Sequence, residues 1–147
     1  MKLNLPFLKP LPDYLVQRYY GWKATTFANS KSWYHKLAED GQHPRAMIIS
    51  CCDSRVHVTS IFGSDAGEFF IHRNIANLVP KYSPDGESCG TSASIEYALK
   101  ELKIQHLIVL GHTDCGGIKS GYNLHSKNLN PDYEFINKWL SILLPAF

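Results

Sequence analysis

The stretch Ala46-Met47-Ile48-Ile49-Ser50-Cys51-Cys52-Asp53-Ser54-Arg55 decides the fold. An apolar run stops abruptly at two thiols, an acid and a base. The pattern recurs at Leu107-Ile108-Val109-Leu110-Gly111-His112-Thr113-Asp114-Cys115-Gly116-Gly117. Short, continuous apolar runs of this kind read as strands buried on both faces of a parallel sheet. In such sheets ligands gather at the carboxyl ends of the strands. Both clusters of reactive side chains fall at that end. With the two ends side by side, Cys51, His112 and Cys115 would surround one ion. Zinc suits that set, because it is borderline soft and takes thiolate sulfur and imidazole nitrogen.

Working outward, residues 1–12 carry Pro6, Pro10 and Pro12 and read as an extended arm. Asp13 reads as a helix N-cap, with Tyr14, Leu15, Tyr19, Trp22 and Phe27 near helical spacing. Asn29 or Ser30 can cap a second helix that closes at Gly41. This aromatic front either covers its own domain or packs on a second subunit, where aromatics are enriched. The strand at 45–50 follows, then a short helix from Val58 to Phe62 ending at Gly63. Glu68 to Ile71 reads as another buried strand, and Asn77 to Glu87 as a loop. A long helix from Thr91, capped by Ser88 or Thr91, presents Ile95, Ala98, Leu99 and Leu102 to the core. The strand at 106–110 leads to the second cluster and a short helix. Residues 119–130 read as a loop, and Pro131 suits the first turn of a last helix. Its apolar face holds Tyr133, Ile136, Trp139, Leu140, Leu143 and Leu144.

The expected fold class is therefore α/β, a mainly parallel β-sheet flanked by helices, with an N-terminal helical arm. Residues 1–44 form that arm, and 45–147 the zinc-binding core, together one domain. Composition agrees: 44% hydrophobic and 19% charged residues describe a globular chain, not a disordered one. A net charge of +2, without runs of like charge, argues against nucleic-acid or membrane-surface partners. No apolar stretch approaches the roughly 20 residues of a membrane helix. Four cysteines, spaced unlike a disulfide framework, point to metal chemistry in a reducing, cytoplasmic compartment.

Three protein ligands leave a zinc ion one open position, the arrangement of a catalytic site. Cys52 or Cys89 would have to supply a fourth ligand to a structural one. Two thiolates donate charge and work against making the metal's water acidic, so a helper is needed. Arg55 can grip Asp53 through two hydrogen bonds, fixing it as acceptor for the water's proton. Alternatively Asp53 swings onto zinc as a fourth ligand and closes the site.

Cys51-x-Asp53-x-Arg55 followed by His112-x-x-Cys115-Gly116-Gly117 resembles the β-class carbonic anhydrases. The segments Glu68 to Asn77 and Gly90 to Ala98 extend the likeness over at least residues 42–118. The resemblance implies one Zn2+ per chain on Cys51, His112 and Cys115, with Asp53 and Arg55 as the catalytic dyad. It further implies that Gln42 binds substrate or bicarbonate, that Phe70, Ile75 and Tyr97 line the pocket, and that the Gly116 backbone borders it. In that family the site lies at a dimer interface, with the equivalents of Gln42, Phe70 and Tyr97 supplied across it. A homodimer or dimer of dimers is expected. A subgroup of the family binds bicarbonate in a second, inhibitory pocket that includes a tryptophan. Ile48 occupies that position here, so the open subgroup is expected. Family members usually continue past this C-terminus, so the C-terminal part of the usual fold is expected to be absent. The implied activity is reversible hydration of carbon dioxide to bicarbonate. The alternatives are a truncated, non-catalytic zinc-binding or interaction protein, and a hydrolase of carbon disulfide or carbonyl sulfide.

Overall fold

The computed structural model describes residues 9–84, 89–127 and 132–146. The chain divides into two compact units, Met1–Gly41 and Gln42–Phe147. In the first, helices α1 (Asp13–Trp22) and α2 (Lys31–Asp40) are joined through a wide π-helical segment, Lys23–Phe27. Trp22, Phe27 and Tyr34 form an aromatic knot, with ring centroids 5.3–6.0 Å apart. None of this unit's described residues is fully buried. Asp13 is not the cap of α1. Pro12 holds that position, and its carbonyl accepts the first helical bonds, from the amides of Leu15 and Val16. Asp13 sits in the first turn, where its charge favours the helix dipole. Ser30 occupies the cap position of α2 without a side-chain bond, and Gly41 ends the helix at φ 76°.

The second unit is built on a three-stranded parallel sheet in the order β2-β1-β3. Strand β1 is Ala46–Cys51, β2 is Phe69–Asn74 and β3 is Leu107–Leu110. Cys51 lies opposite Asn74, and Ser50 lies between Arg73 and Leu110. All six residues of β1 are buried, and Met47, Ile48, Ile49 and Ser50 have no exposed surface. Met47 and Ile49 meet Ala98 of helix α4 (Gly90–Lys100) and Ile104, with Phe70, Ile95 and Leu102 around them. Burial of each such aliphatic side chain is worth roughly 1.5–3 kcal/mol. The short helix α3 (Val58–Phe62) ends at Gly63 in the left-handed conformation, and Phe62 packs edge-on against Phe69.

A second apolar cluster joins the strand ends to the C-terminal helices α5 (Gly116–Ser126) and α6 (Glu134–Leu140). Cys51, Ala76, Leu78, Cys115 and Leu140 are its buried members. A 3-10 segment, Ser141–Ala146, continues from α6.

Several expectations from the sequence are corrected. β3 is not buried: Leu107, Ile108 and Val109 are 41%, 36% and 49% exposed. Among the described residues β3 pairs with β1 alone and forms a sheet edge. β2, on the other edge, is half-buried to exposed and runs to Asn74, three residues beyond its expected end. Residues 119–126 are helix rather than loop, because Gly121 lets α5 approach Leu140 and Leu143. Leu99 faces outward, as do Tyr133, Ile136 and Leu144. Cys89 takes the cap position of α4, and Thr91 is buried instead. Ser88, Pro131 and part of the expected 77–87 loop lie outside the described residues.

The first turn of α5 is tightly seated. A Cβ on Gly117 would lie 2.8 Å from the Ala76 Cβ and 2.9 Å from the Ile75 Cγ2, whereas one on Gly116 meets nothing within 4 Å. Gly117→Ala is expected to lower stability by about 1–3 kcal/mol through overpacking. Gly116→Ala is expected to change it by under about 1 kcal/mol. Parallel thermal or urea unfolding of the two variants measures the contrast.

Candidate metal centre

β1 and β3 end side by side, so Cys51 and the turn after Leu110 converge. The donor atoms of Cys51, His112 and Cys115 all lie within 4.8 Å of one another. Among the described residues this set includes neither Cys52 nor Cys89. Cys52 is exposed, because it lies just past the end of β1, beyond the cover that buries Ile48 and Ser50.

The three donors fit a zinc ion on two observations. The Cys51 and Cys115 sulfurs are 3.8 Å apart. That is far beyond a disulfide, but two sulfurs each about 2.3 Å from a tetrahedral zinc would be separated by about 3.8 Å. His112 completes the set. Its Nδ1 lies 2.9 Å from the Thr113 carbonyl, to which only an N–H can donate. The proton is thereby fixed on Nδ1, and Nε2 keeps a lone pair. That Nε2 is buried and has no hydrogen-bond partner in the protein. A backbone carbonyl orienting one ring nitrogen while the other is free is the usual state of a metal-ligating histidine.

The surroundings of Cys51 favour its ionised form. Burial pushes its thiol up, but hydrogen bonds from the Asp53 amide, the Ala76 amide and Cys115 help to outweigh burial, and the net shift is downward. The Asp53 amide is 3.4 Å from the sulfur. Ala76 reaches it through a left-handed backbone, φ 65°, followed by Asn77 at φ 47°. Ala76 is fully buried. Such conformations cost about 1 kcal/mol or more per residue and persist only where packing enforces them.

The dyad is formed. Arg55 Nε and Nη2 donate to Asp53 Oδ1 and Oδ2 at 2.9 and 2.8 Å, and the Arg55 amide donates to Oδ1 at 2.9 Å. Arg55 Nη2 also donates to the Asp114 carbonyl at 3.1 Å, so one guanidinium ties the two strand-end loops together. These Arg55 bonds hold the Asp53 carboxyl well below the usual carboxylate range, and Asp53 in turn raises the Arg55 guanidinium. Asp53 Oδ2 stands 4.0 Å from His112 Nε2, beside the three donors. Asp114, between His112 and Cys115, is left-handed at φ 52°, a conformation Asp tolerates better than most residues.

The remaining predicted residues divide into two groups. Gly116 opens α5 directly after Cys115, and Ile75 abuts Gly117, so both adjoin this chain's own donors. Phe70 and Tyr97 stack on each other at 5.8 Å, away from those donors. Phe70 lies opposite Met47, four positions before Cys51, about 13 Å along the strand. Gln42 is exposed and precedes β1, at the end opposite Cys51.

Sequence reading overlooked a polar framework behind the donors. His72 bonds the Thr91 and Ser94 hydroxyls at 2.9 and 3.1 Å. Asn74 donates to Thr91 Oγ1 and the Leu78 carbonyl, and accepts from the Leu78 amide. The Trp139 indole donates to the Ile75 carbonyl at 2.8 Å. The one hint in the sequence is the run His72-Arg73-Asn74, three polar residues closing an apolar strand.

A parallel three-stranded sheet bearing a Cys-His-Cys cluster and an aspartate–arginine pair defines the class of protein. Comparison with known proteins agrees. A family model described as carbonic anhydrase matches residues 46–147. The chain is 37% identical over 135 residues to a carbonic anhydrase of Emericella nidulans, covering 91% of this chain and 54% of that protein. It superposes on the β-carbonic anhydrase CcaA with a TM-score of 0.80 at 32% identity, covering 88% of this chain and 56% of that one. A tetrameric β-carbonic anhydrase from Sordaria macrospora gives a TM-score of 0.73 at 34% identity, covering 89% and 61% respectively. The chain belongs to the β-class carbonic anhydrase family. It spans about half the length of the curated relatives it matches.

If the three donors act as one site, Cys51→Ser and His112→Ala are each expected to lose stoichiometric zinc, while Cys52→Ser retains it. Metal content by plasma mass spectrometry after dialysis measures this.

Proposed function

We propose that this chain catalyses the reversible hydration of carbon dioxide to bicarbonate, with zinc held by Cys51, His112 and Cys115. The observation that carries the reading is the Asp53–Arg55 clasp beside those donors. Zinc bound there supplies Lewis acidity, making water acidic enough to ionise near neutral pH.

The protein's own part follows from the hydrogen bonds. Asp53 Oδ1 accepts two bonds from Arg55, whereas Oδ2 accepts one. Oδ2 therefore has a lone pair left for the attacking water's proton. Because Arg55 keeps the carboxyl ionised, Asp53 stays an acceptor and orients the water instead of storing its proton. The same clasp opposes the closed alternative, since Asp53 must break bonds to Arg55 before it can bind the metal. Ile75 and the Gly116 backbone would border the reacting carbon dioxide.

Gln42, Phe70 and Tyr97 are too far along β1 to serve the same chain's metal. Their assigned roles are met if a second copy, turned about a two-fold axis, brings its own three to this site. We therefore propose a homodimer, or a dimer of dimers, as the active form. The aromatic surface of residues 1–44 is a candidate contact in it.

In stopped-flow hydration assays of zinc-loaded protein, Asp53→Ala is expected to lower kcat by about 10²–10⁴-fold, the usual range for a positioned proton acceptor. Its zinc content should match wild type. A zinc-replete, dimeric wild type that shows no hydration would refute the enzymatic reading and favour a binding role. Turnover of carbon disulfide or carbonyl sulfide in place of carbon dioxide would shift the substrate assignment.

A further inference from the structure

We infer that Arg73 is a positioning residue for Asp53, clasping the backbone that carries the carboxylate while Arg55 holds its head. The Cys52 amide makes the last bond to β2, to the Asn74 carbonyl at 2.9 Å. Beyond it the chain leaves the sheet in a tight turn, closed by the Val56 amide on the Asp53 carbonyl at 3.0 Å. Such an overhang has no ladder to fix its direction. Arg73, on β2 opposite Ser50, reaches across to supply one. Its Nε donates to the Cys51 carbonyl at 2.9 Å, and its Nη2 to the Asp53 carbonyl at 2.8 Å.

The two accepting carbonyls are two residues apart on the segment that joins the metal donor to the proton acceptor. A planar guanidinium can satisfy both at once, because its N–H groups diverge at fixed angles. Rotating the Asp53 backbone would move carbonyl and carboxylate together, so fixing the first restricts the second. Lysine, with a single ammonium on a flexible stem, cannot reproduce that fork. Arg73 touches neither the reacting groups nor the three donor side chains, and acts through Asp53.

The inference deepens the proposed activity and rests on the role of Asp53 given above. Its test has a readout independent of turnover: amide hydrogen exchange on the purified zinc protein, wild type against Arg73→Lys and Arg73→Gln. Both variants are expected to keep zinc and the slow exchange of Met47 to Ser50. Exchange at Asp53, Arg55 and Val56 should quicken at least about tenfold, the size of one lost hydrogen bond to a charged donor. Hydration kcat should fall about tenfold with KM changed less than about twofold. Unchanged exchange at residues 53–56 in both variants would overturn the inference. So would loss of protection along the whole of Met47 to Ser50, which would make Arg73 a strand-pairing residue only. A zinc-replete wild type without hydration activity removes the anhydrase reading, and the exchange comparison still decides the clasp.

Discussion

Strand β1 has no side that faces water. It lies between two parallel neighbours, its side chains are buried on both faces, and its last residue is one of the three candidate metal ligands. The donors' geometry depends on that enclosure. A one-residue slip would send every side chain of β1 to the opposite face, exchanging Met47 and Ile49 for Ile48 and Ser50 against α4. It would also carry Cys51 away from His112. Complete burial of four consecutive residues makes that slip costly, and so the apolar core sets the position of a sulfur atom to within ångströms.

Around that fixed point, charges are arranged by backbone as much as by side chain. A thiol inclined to ionise, a second thiol and a carboxylate crowd one end of a sheet. The Arg55 guanidinium stabilises the Asp53 carboxylate, and backbone amides aimed at Cys51 favour its ionised form. Two of the segments that aim polar backbone groups, Ala76–Asn77 and Asp114, adopt left-handed conformations. Strain gathered around a cluster of donors is characteristic of functional sites. Here the strained segments have identifiable restraints: α5 packs Gly117 against Ala76, Trp139 holds the Ile75 carbonyl, and Arg55 holds Asp114.

Much of this was legible in the sequence, and the reasons differ by element. β1 and α3 were readable because an apolar run and a terminal glycine are local signals. The donor cluster was readable because both runs end in metal-binding residues, which a parallel sheet must bring to one edge. The exposure of β3 was not readable, since Leu107-Ile108-Val109 is spelled like a core strand and only the count of neighbours distinguishes them. The helix at 119–126 was hidden by its Ser, Gly and Asn residues, whose weak propensity is overridden by contact with Leu140 and Leu143. Arg73 is one of three polar residues closing an apolar strand, and nothing next to it in the sequence marks it out. Its significance lies in two carbonyls 20 and 22 residues earlier in the chain, a relation that no spacing rule encodes.

The bare flank of β3 bears on how the protein behaves in solution. Among the described residues it offers unpaired backbone groups bordered by exposed Leu107, Ile108 and Val109, without the charges or proline that blunt many natural edges. Such an edge promotes irreversible association when the molecule is heated or concentrated. Apparent melting temperatures would then depend on scan rate and protein concentration. Shelf life would be governed by this seam of the sheet, even though the centre of the same sheet is its most tightly enclosed part.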